Sequence, residues 1–261
     1  MDAFSEVPII RVRNNKQEEM LDHIATEIAC TLIVNDKVLV SLLCSPIELE
    51  NMAIGFLVSE GFVKDVNSIK SIDVDQKNFT VKVSLPNLTD KEHNFFNKKT
   101  ITSGCGQGIT FSDPDSLRDI SDTGQKERVK ISSANVIALL QDFRNISDLY
   151  LKTGGVHSAA LAIADKILLF SEDIGRHNAV DKLIGKAFLS NMRVHDKILI
   201  SSGRISGEIM TKVIRNRIPI MITRTAPTCM SINYAQDYGV TLIGFARGNR
   251  MNVYTHPLRL K

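Results

Sequence analysis

The sequence lacks a long apolar run and has no strong excess of charge of either sign. No stretch reaches the roughly 18 uninterrupted apolar residues that a membrane-spanning helix needs. Residues 1–13 include acids and lack the apolar core of a signal peptide. The net charge of +3 is too small to indicate a nucleic-acid partner. We therefore predict a cytoplasmic protein that binds neither membrane nor nucleic acid.

Cysteine is also scarce, with four residues in a chain of 261 and no closely spaced pair. This pattern argues against a disulfide framework and fits a reducing compartment. Cys30 and Cys44 lie in apolar runs, and Cys229 lies where a helix is expected to begin. We expect these three to be small buried hydrophobic residues. The remaining composition is that of an ordinary globular protein, 43% hydrophobic and 23% charged.

Cys105 has a different setting, because three glycines and small hydroxyl residues surround it within residues 100–109. No apolar side chain is present from Thr102 to Gly108 to bury the sulfur. A thiol is nucleophilic only as the thiolate, which backbone N–H groups favour and apolar pockets disfavour. Glycines supply such amides and let a second sulfur approach closely. We therefore predict an exposed, reactive cysteine, with an incidental cysteine in a glycine-rich turn as the alternative.

The first half of the chain is predicted to be a small strand-rich α+β domain. Apolar and β-branched runs indicate four strands in two hairpins, with one helix between the hairpins. The predicted strands are Thr26–Val34, Lys37–Cys44, Ser68–Val74 and Phe79–Leu85. We expect the helix to begin with a capping box formed by Ser45 and Glu48 and to end at Gly61. Glycine, proline, serine and aspartate concentrate before residue 128, which predicts domains 1–128 and 129–261.

The second half alternates strands with helices, and this alternation predicts an α/β domain built on a parallel sheet. Ligands of such sheets bind at the carboxyl ends of the strands. Three polar turns are expected there: Ser201–Gly207, Thr223–Thr228 and Phe245–Arg250. Each combines an arginine with glycine or hydroxyl residues, which are groups that bind phosphate. Any one of them is also typical of a solvated loop, but the three together predict a site for a nucleotide or a pterin-nucleotide conjugate.

Residues 172–181 contain three acids, an arginine and a histidine within ten positions. Such a density of charge is more typical of a site than of a solvated surface. His177 is a candidate acid–base group or ligand donor, and a structural histidine is the alternative.

His157 and Cys229 weakly resemble the ligands of a zinc deaminase, which makes a zinc site an alternative. Ala159 stands where that pattern needs its glutamate, and Ile232 stands where it needs a second cysteine. We therefore predict no catalytic zinc, and the pattern gives only a hint of the fold.

Six motifs together resemble the formate dehydrogenase accessory protein family, which are sulfurtransferases that sulfurate the molybdenum cofactor before it enters formate dehydrogenase. The motifs are Thr102–Gly106, Gly154–His157, Glu172–Lys182, Ser202–Arg204, Ala226–Thr228 and Gly244–Arg250. The resemblance extends over the chain from about Thr26 onward.

The resemblance implies that Cys105 accepts sulfur as a persulfide from a cysteine desulfurase. The recipient would be bis-molybdopterin guanine dinucleotide, and the client would be formate dehydrogenase. The resemblance also implies a second domain similar to the cytidine deaminase fold, and a homodimer. The predicted cofactor contacts, from the resemblance and from the polar stretches above, are Phe245, Ala246, Arg247, Gly248, Asn249, Arg250, Arg204, Arg224 and His177.

Position 108 departs from the family pattern, because Gly108 stands where many members have a second cysteine. A persulfide carrier needs only one sulfur, so transfer is still expected, without release by a resolving cysteine in the same loop. Two alternatives stay open: a cofactor chaperone without sulfur chemistry, and a regulator that binds guanine nucleotide.

Overall fold

The computed structural model describes residues 1–86, 117 and 129–261. Cys105 and the predicted boundary near residue 128 lie outside these described residues. The strands are β1 (Phe4–Arg13), β2 (Lys16–Ala25), β3 (Ile28–Val34), β4 (Lys37–Cys44), β5 (Ser71–Asp75), β6 (Thr80–Ser84), β7 (His157–Ile163), β8 (Lys166–Asp173), β9 (Ile198–Ser201), β10 (Ile220–Thr223), β11 (Thr241–Arg247) and β12 (Arg250–Val253). The α-helices are α1 (Leu49–Glu60), α2 (Ser133–Asn145), α3 (Asp148–Thr153), α4 (Arg176–Leu189), α5 (Gly207–Arg215) and α6 (Cys229–Asp237).

Within the described ranges, the strands form three sheets of a mixed α/β fold. β1 and β2 form a ribbon, a four-stranded sheet has the order β4-β3-β6-β5, and a six-stranded sheet has the order β12-β11-β10-β9-β7-β8. In the largest sheet β9, β10 and β11 are parallel, as predicted. The sheet also contains β7, β8 and β12, which lie outside the predicted alternation and are antiparallel to their neighbours. The likeness of this domain to the cytidine deaminase fold stays a prediction.

The predicted hairpins of the first half are present, but the predicted start of the first helix is wrong. Asn35 and Asp36 both have positive φ, 47° and 62°, as a tight hairpin turn requires. α1 begins at Leu49, and the Ser45 hydroxyl accepts the backbone N–H of Ile174 at 3.1 Å instead of capping the helix. Ser45 therefore joins the two halves of the chain. Gly61 ends the helix with a φ of 86°, as expected.

The ribbon of β1 and β2 was not foreseen in the sequence. Its two strands pair along ten residues each, and the turn between them places Asn14 and Asn15 in the left-handed region. The ribbon meets the second half of the chain at its base, where the Ala25 side chain approaches Gly155.

The two larger sheets are joined by close packing of α1 against α4. A Cβ atom on Gly55 would lie 1.8 Å from the carbonyl oxygen of Asp181. A Cβ atom on Gly185 would lie 1.9 Å from the carbonyl oxygen of Asn51. The two helix backbones therefore touch directly, and only glycine fits at either position.

Two of the three cysteine predictions within the described residues are correct. Cys30 and Cys44 are buried, whereas Cys229 is exposed. The prediction failed for Cys229 because this residue is the first of α6, and its side chain faces solvent at the start of the helix. No helix in the described part of the chain is long and apolar enough to cross a membrane.

Candidate functional site

A cavity of about 500 Å³ lies beside the carboxyl ends of β9 and β10. Its wall includes Arg144, Tyr150, His157, Ser202, Arg224 and Arg247. No carboxylate lines it among the residues that the structure describes. Guanidinium groups stay charged at all physiological pH values, so the cavity is suited to a ligand that carries several negative charges.

The polar turns converge on this cavity because β9, β10 and β11 are parallel neighbours, so their carboxyl ends share one edge of the sheet. The Thr223 hydroxyl donates to the carbonyl oxygen of Gly203 at 2.8 Å, which ties the first turn to the second. The backbone N–H of Phe245 donates to the carbonyl oxygen of Thr225 at 2.9 Å, which ties the second turn to the third. The predicted convergence of the three turns is therefore present in the fold.

Of the predicted cofactor contacts, Arg224 and Arg247 line the cavity. The remaining ones lie outside its wall; these are Phe245, Ala246, Gly248, Asn249, Arg250, Arg204 and His177. Phe245 has a φ of 49°, and its ring lies 5.8 Å from the Arg247 guanidinium, within the range of a cation–π contact. Ala246 is only 1% exposed and packs in the core of the sheet.

His177 pairs with the carboxylate of a neighbouring residue, Glu208. Its Nε2 atom lies 3.1 Å from Oε2 of Glu208 and 3.3 Å from the Ser206 hydroxyl. The hydrogen bond from His177 lowers the pKa of Glu208, although burial opposes this shift. Within the described structure, Nε2 of His177 therefore bonds to the start of α5, and His177 is not a lining residue of the cavity.

His157 and Ser202 line the cavity but were absent from the predicted contacts. Nδ1 of His157 lies 3.2 Å from the Ser202 hydroxyl oxygen, which also accepts the backbone N–H of Ser158 at 2.9 Å. Burial, and then the nearby charges of Arg176 and His177, lower the pKa of His157. The imidazole is therefore neutral at pH 7. In the sequence, His157 belongs to the Gly154–His157 motif, which indicated only a weak likeness to a zinc site and the family resemblance.

Gly203 allows these groups to approach one another. A Cβ atom there would lie 2.9 Å from Cβ of Arg176 and 3.4 Å from Nδ1 of His157. The glycine thus leaves room for the Arg176 side chain beside the histidine.

A chain of hydrogen bonds connects three lining residues of the cavity, Ser147, Ser158 and Tyr150, to Glu172. The Ser147 and Ser158 hydroxyl oxygens lie 2.9 Å apart, and Ser147 donates to the Glu172 carboxylate. The same carboxylate accepts the backbone N–H groups of Leu149 and Tyr150, each at 3.3 Å. Glu172 therefore binds the start of α3 and fixes the position of Tyr150.

Charged residues within 172–182 form buried contacts that hold the fold together. Nζ of Lys182 lies 2.6 Å from the Asp173 carboxylate, and both side chains are fully buried. Asp173 also accepts the N–H groups of Ser45 and Gly175 and the side-chain amide of Asn178, at 3.0, 2.8 and 2.9 Å. Asp173 and Lys182 therefore bind the end of β8 to the segment that follows β4.

A second buried ion pair involves Asp181, the residue directly before Lys182 in α4. Nζ of Lys212 lies 2.8 and 2.9 Å from the two oxygens of Asp181, and 3.6 Å from Glu60 of α1. The acids of this motif thus join helices and sheets, and within the described residues none of them lines the cavity. Glu172 contacts it only indirectly, through its hydrogen bonds with Ser147 and Tyr150. No group of three or more His, Cys, Asp or Glu side chains is arranged to hold a metal ion in the same part of the chain.

Comparison with known proteins shows the family of this chain. Residues 25–261 match the model of the FdhD/NarQ family. The chain is 37% identical over 251 residues to the sulfur carrier protein FdhD of Bacillus subtilis, covering 96% of this chain and 95% of the relative. It is 36% identical over 258 residues to the sulfur carrier protein FdhD of Listeria innocua, covering 98% of each.

A crystal structure from Desulfotalea psychrophila, of a chain named as a formate dehydrogenase accessory protein, has the same fold. Its TM-score is 0.79 with 23% identity, and the match covers 100% of both chains. The full-length match in fold agrees with the family match from residue 25 to the last residue. The chain therefore belongs to the FdhD/NarQ family.

Proposed function

We propose that this protein is a sulfur carrier in the maturation of formate dehydrogenase. Relatives that match nearly the whole chain are named sulfur carrier protein FdhD, and this supports the proposal. Cys105 is the proposed carrier residue. Its thiolate attacks the outer sulfur of a cysteine desulfurase persulfide, a new S–S bond forms at Cys105, and the desulfurase thiolate leaves. This step needs no oxidant or reductant.

The proposed recipient of the sulfur is bis-molybdopterin guanine dinucleotide, which this protein binds as a substrate. The observation that carries this proposal is the cavity with Arg144, Arg224 and Arg247 in its wall and no carboxylate among its described lining residues. Charge-assisted hydrogen bonds from arginine are well matched to phosphate. A volume of about 500 Å³ suits one nucleotide-sized part of this cofactor. We propose further that the protein acts as a sulfurtransferase in the cytoplasm and as a homodimer.

Mass spectrometry tests the sulfur-carrier role directly. After incubation with a cysteine desulfurase and cysteine, the protein is expected to gain the mass of one sulfur atom, on the peptide that contains Cys105. Addition of a thiol reductant should remove this mass, because a persulfide is reducible. A cofactor chaperone or a guanine-nucleotide regulator would bind its ligand in the same cavity and gain no sulfur, and that outcome would reject the carrier role.

The arginines of the cavity wall give a separate prediction about ligand binding. Arg224→Ala and Arg247→Ala are each expected to weaken guanosine diphosphate binding by about 1.5 to 3 kcal/mol, the range for a hydrogen bond to a charged group. Titration calorimetry measures the change. Arg204→Ala and Arg250→Ala test the two other arginines among the predicted contacts, which lie outside the cavity wall. A loss in Arg250→Ala without a loss in Arg224→Ala would place the ligand on the turn between β11 and β12 instead.

A further inference from the structure

His157 differs from the other polar groups of the cavity, because its charge can change near neutral pH. Among the described lining residues it is the one whose side chain ordinarily titrates in that range. The Ser202 hydroxyl oxygen already accepts the backbone N–H of Ser158. The same oxygen lies 3.2 Å from Nδ1 of His157, and either atom can be the donor. When Ser202 donates its own proton to Nδ1, neutral His157 has its proton on Nε2.

Ser202 is suited to both protonation states of the ring. A hydroxyl group donates one hydrogen bond and accepts two, so Ser202 can keep the bond from Ser158 and accept an N–H from Nδ1 as well. When His157 gains a proton, the Ser202 hydroxyl turns from donor to acceptor. The imidazole can therefore become charged without losing its partner.

The charges around His157 oppose its protonation in the absence of a ligand. Arg176 and His177 face it from the start of α4, and Arg224 and Arg247 share the cavity wall with it, as does Arg144 of α2. Asp173 at the end of β8 acts in the opposite direction. That carboxylate is already paired with Lys182 at 2.6 Å. An anion in the cavity would offset this excess of positive charge and favour the charged imidazole.

We infer that His157 takes up a proton when a phosphate-bearing ligand enters the cavity, and that it then becomes a further cationic contact beside Arg224 and Arg247. This inference rests on the proposed function, since it requires an anionic ligand in this cavity. It assigns a binding role to His157, a residue outside the predicted cofactor contacts, and a positioning role to Ser202.

The test measures how the affinity for a guanine dinucleotide depends on pH. The probe is diguanosine pyrophosphate, in which each phosphate has one ester and one anhydride bond and so has no ionisation near neutral pH. Calorimetry of the full-length protein should show binding about fivefold tighter at about pH 5.5 than at about pH 8, which is about the change expected over this range for a rise of one unit in the pKa of His157. In a pH titration followed by proton NMR, the titration midpoint of the His157 ring should move to higher pH when the probe saturates the protein.

Two variants separate His157 from other causes of pH dependence. His157→Gln keeps a side-chain donor but cannot titrate, so its affinity for the probe should be the same at both pH values. His256→Gln is the matched control, because His256 bonds to the carbonyl of Gln236, beyond the cavity wall, and should leave the pH dependence unchanged. Ser202→Ala should reduce the pH dependence, because the charged ring loses its acceptor. Circular dichroism at both pH values confirms that each variant is folded.

The outcomes distinguish this inference from the proposed function. Binding that is independent of pH in the unmodified protein would overturn the role of His157 and leave the cavity as the ligand site. If the affinity of His157→Gln for the probe still depended on pH, the inference would be overturned in the same way. Failure of the unmodified protein to bind the probe at either pH would reject both the cavity as a nucleotide site and the role of His157.

Discussion

Replacement of Cys105 by serine is expected to abolish persulfide formation on this protein. A serine hydroxyl cannot form a persulfide, and the other cysteines are poor substitutes. Cys30 and Cys44 are 1% and 0% exposed, so neither sulfur can reach the persulfide of another protein. The hydrogen bond between the two thiols, together with burial, also raises the pKa of Cys44, whereas the same hydrogen bond lowers the pKa of Cys30. Mass spectrometry after incubation with the desulfurase measures the loss, and formate dehydrogenase activation in a cell extract should fall with it.

Cys229 provides the matched control, because it is the exposed cysteine within the described residues. Cys229→Ser should keep both persulfide formation and dehydrogenase activation at the level of the unmodified protein. The melting temperatures of the two variants should match that of the unmodified protein. Persulfide that survives in Cys105→Ser and disappears in Cys229→Ser would move the carrier role to the start of α6.

Replacement of Lys182 by methionine is expected to destabilise the protein by about 3 to 5 kcal/mol, the cost of removing one partner from a buried ion pair. Asp173 would then be buried without its cation, although three N–H donors would still contact it. Denaturant unfolding followed by circular dichroism measures the change in the free energy of unfolding.

Two comparisons test the cause of this loss. In the double variant Asp173→Asn with Lys182→Met no charge is left unpaired, so much of the stability should return. Lys186→Met removes a more exposed partner of Glu48 from the same helix, and its cost should be at most about 1 kcal/mol. If Lys182→Met cost no more than Lys186→Met, the buried pair would not be what joins β8 to the first half of the chain.

The sequence was sufficient for the parts of the fold that local patterns determine. The hairpin at Asn35 and Asp36 and the helix ending at Gly61 follow from the conformations that these residues favour. Ser45 was misassigned because its partner, the N–H of Ile174, lies 129 positions away in the chain. The ribbon was missed because charged residues interrupt the apolar pattern of β2, so its strand character depends on pairing with β1.

The candidate site was predictable to a similar extent. Arg224 and Arg247 follow predicted strands, and ligands of such sheets bind at strand ends, so the position of both arginines in a candidate site could be predicted. The His157 and Ser202 pair follows from the antiparallel pairing of β7 with β9, which aligns Ala159 with Ser201. Because helix α4 separates these strands in the chain, no pattern in the sequence indicated that they are neighbours.

The contact between Gly55 and Gly185 has a consequence for how a ligand reaches the site. Where two helix backbones touch, there is no layer of side chains that can rearrange as the helices slide, so the packing opposes a shear motion between the two larger sheets. The cavity wall in the described structure belongs entirely to residues 143–247, on one side of this rigid joint. A nucleotide bound as we propose would meet described walls that are already in place, and its affinity would not be reduced by the free energy of closing one domain onto the other.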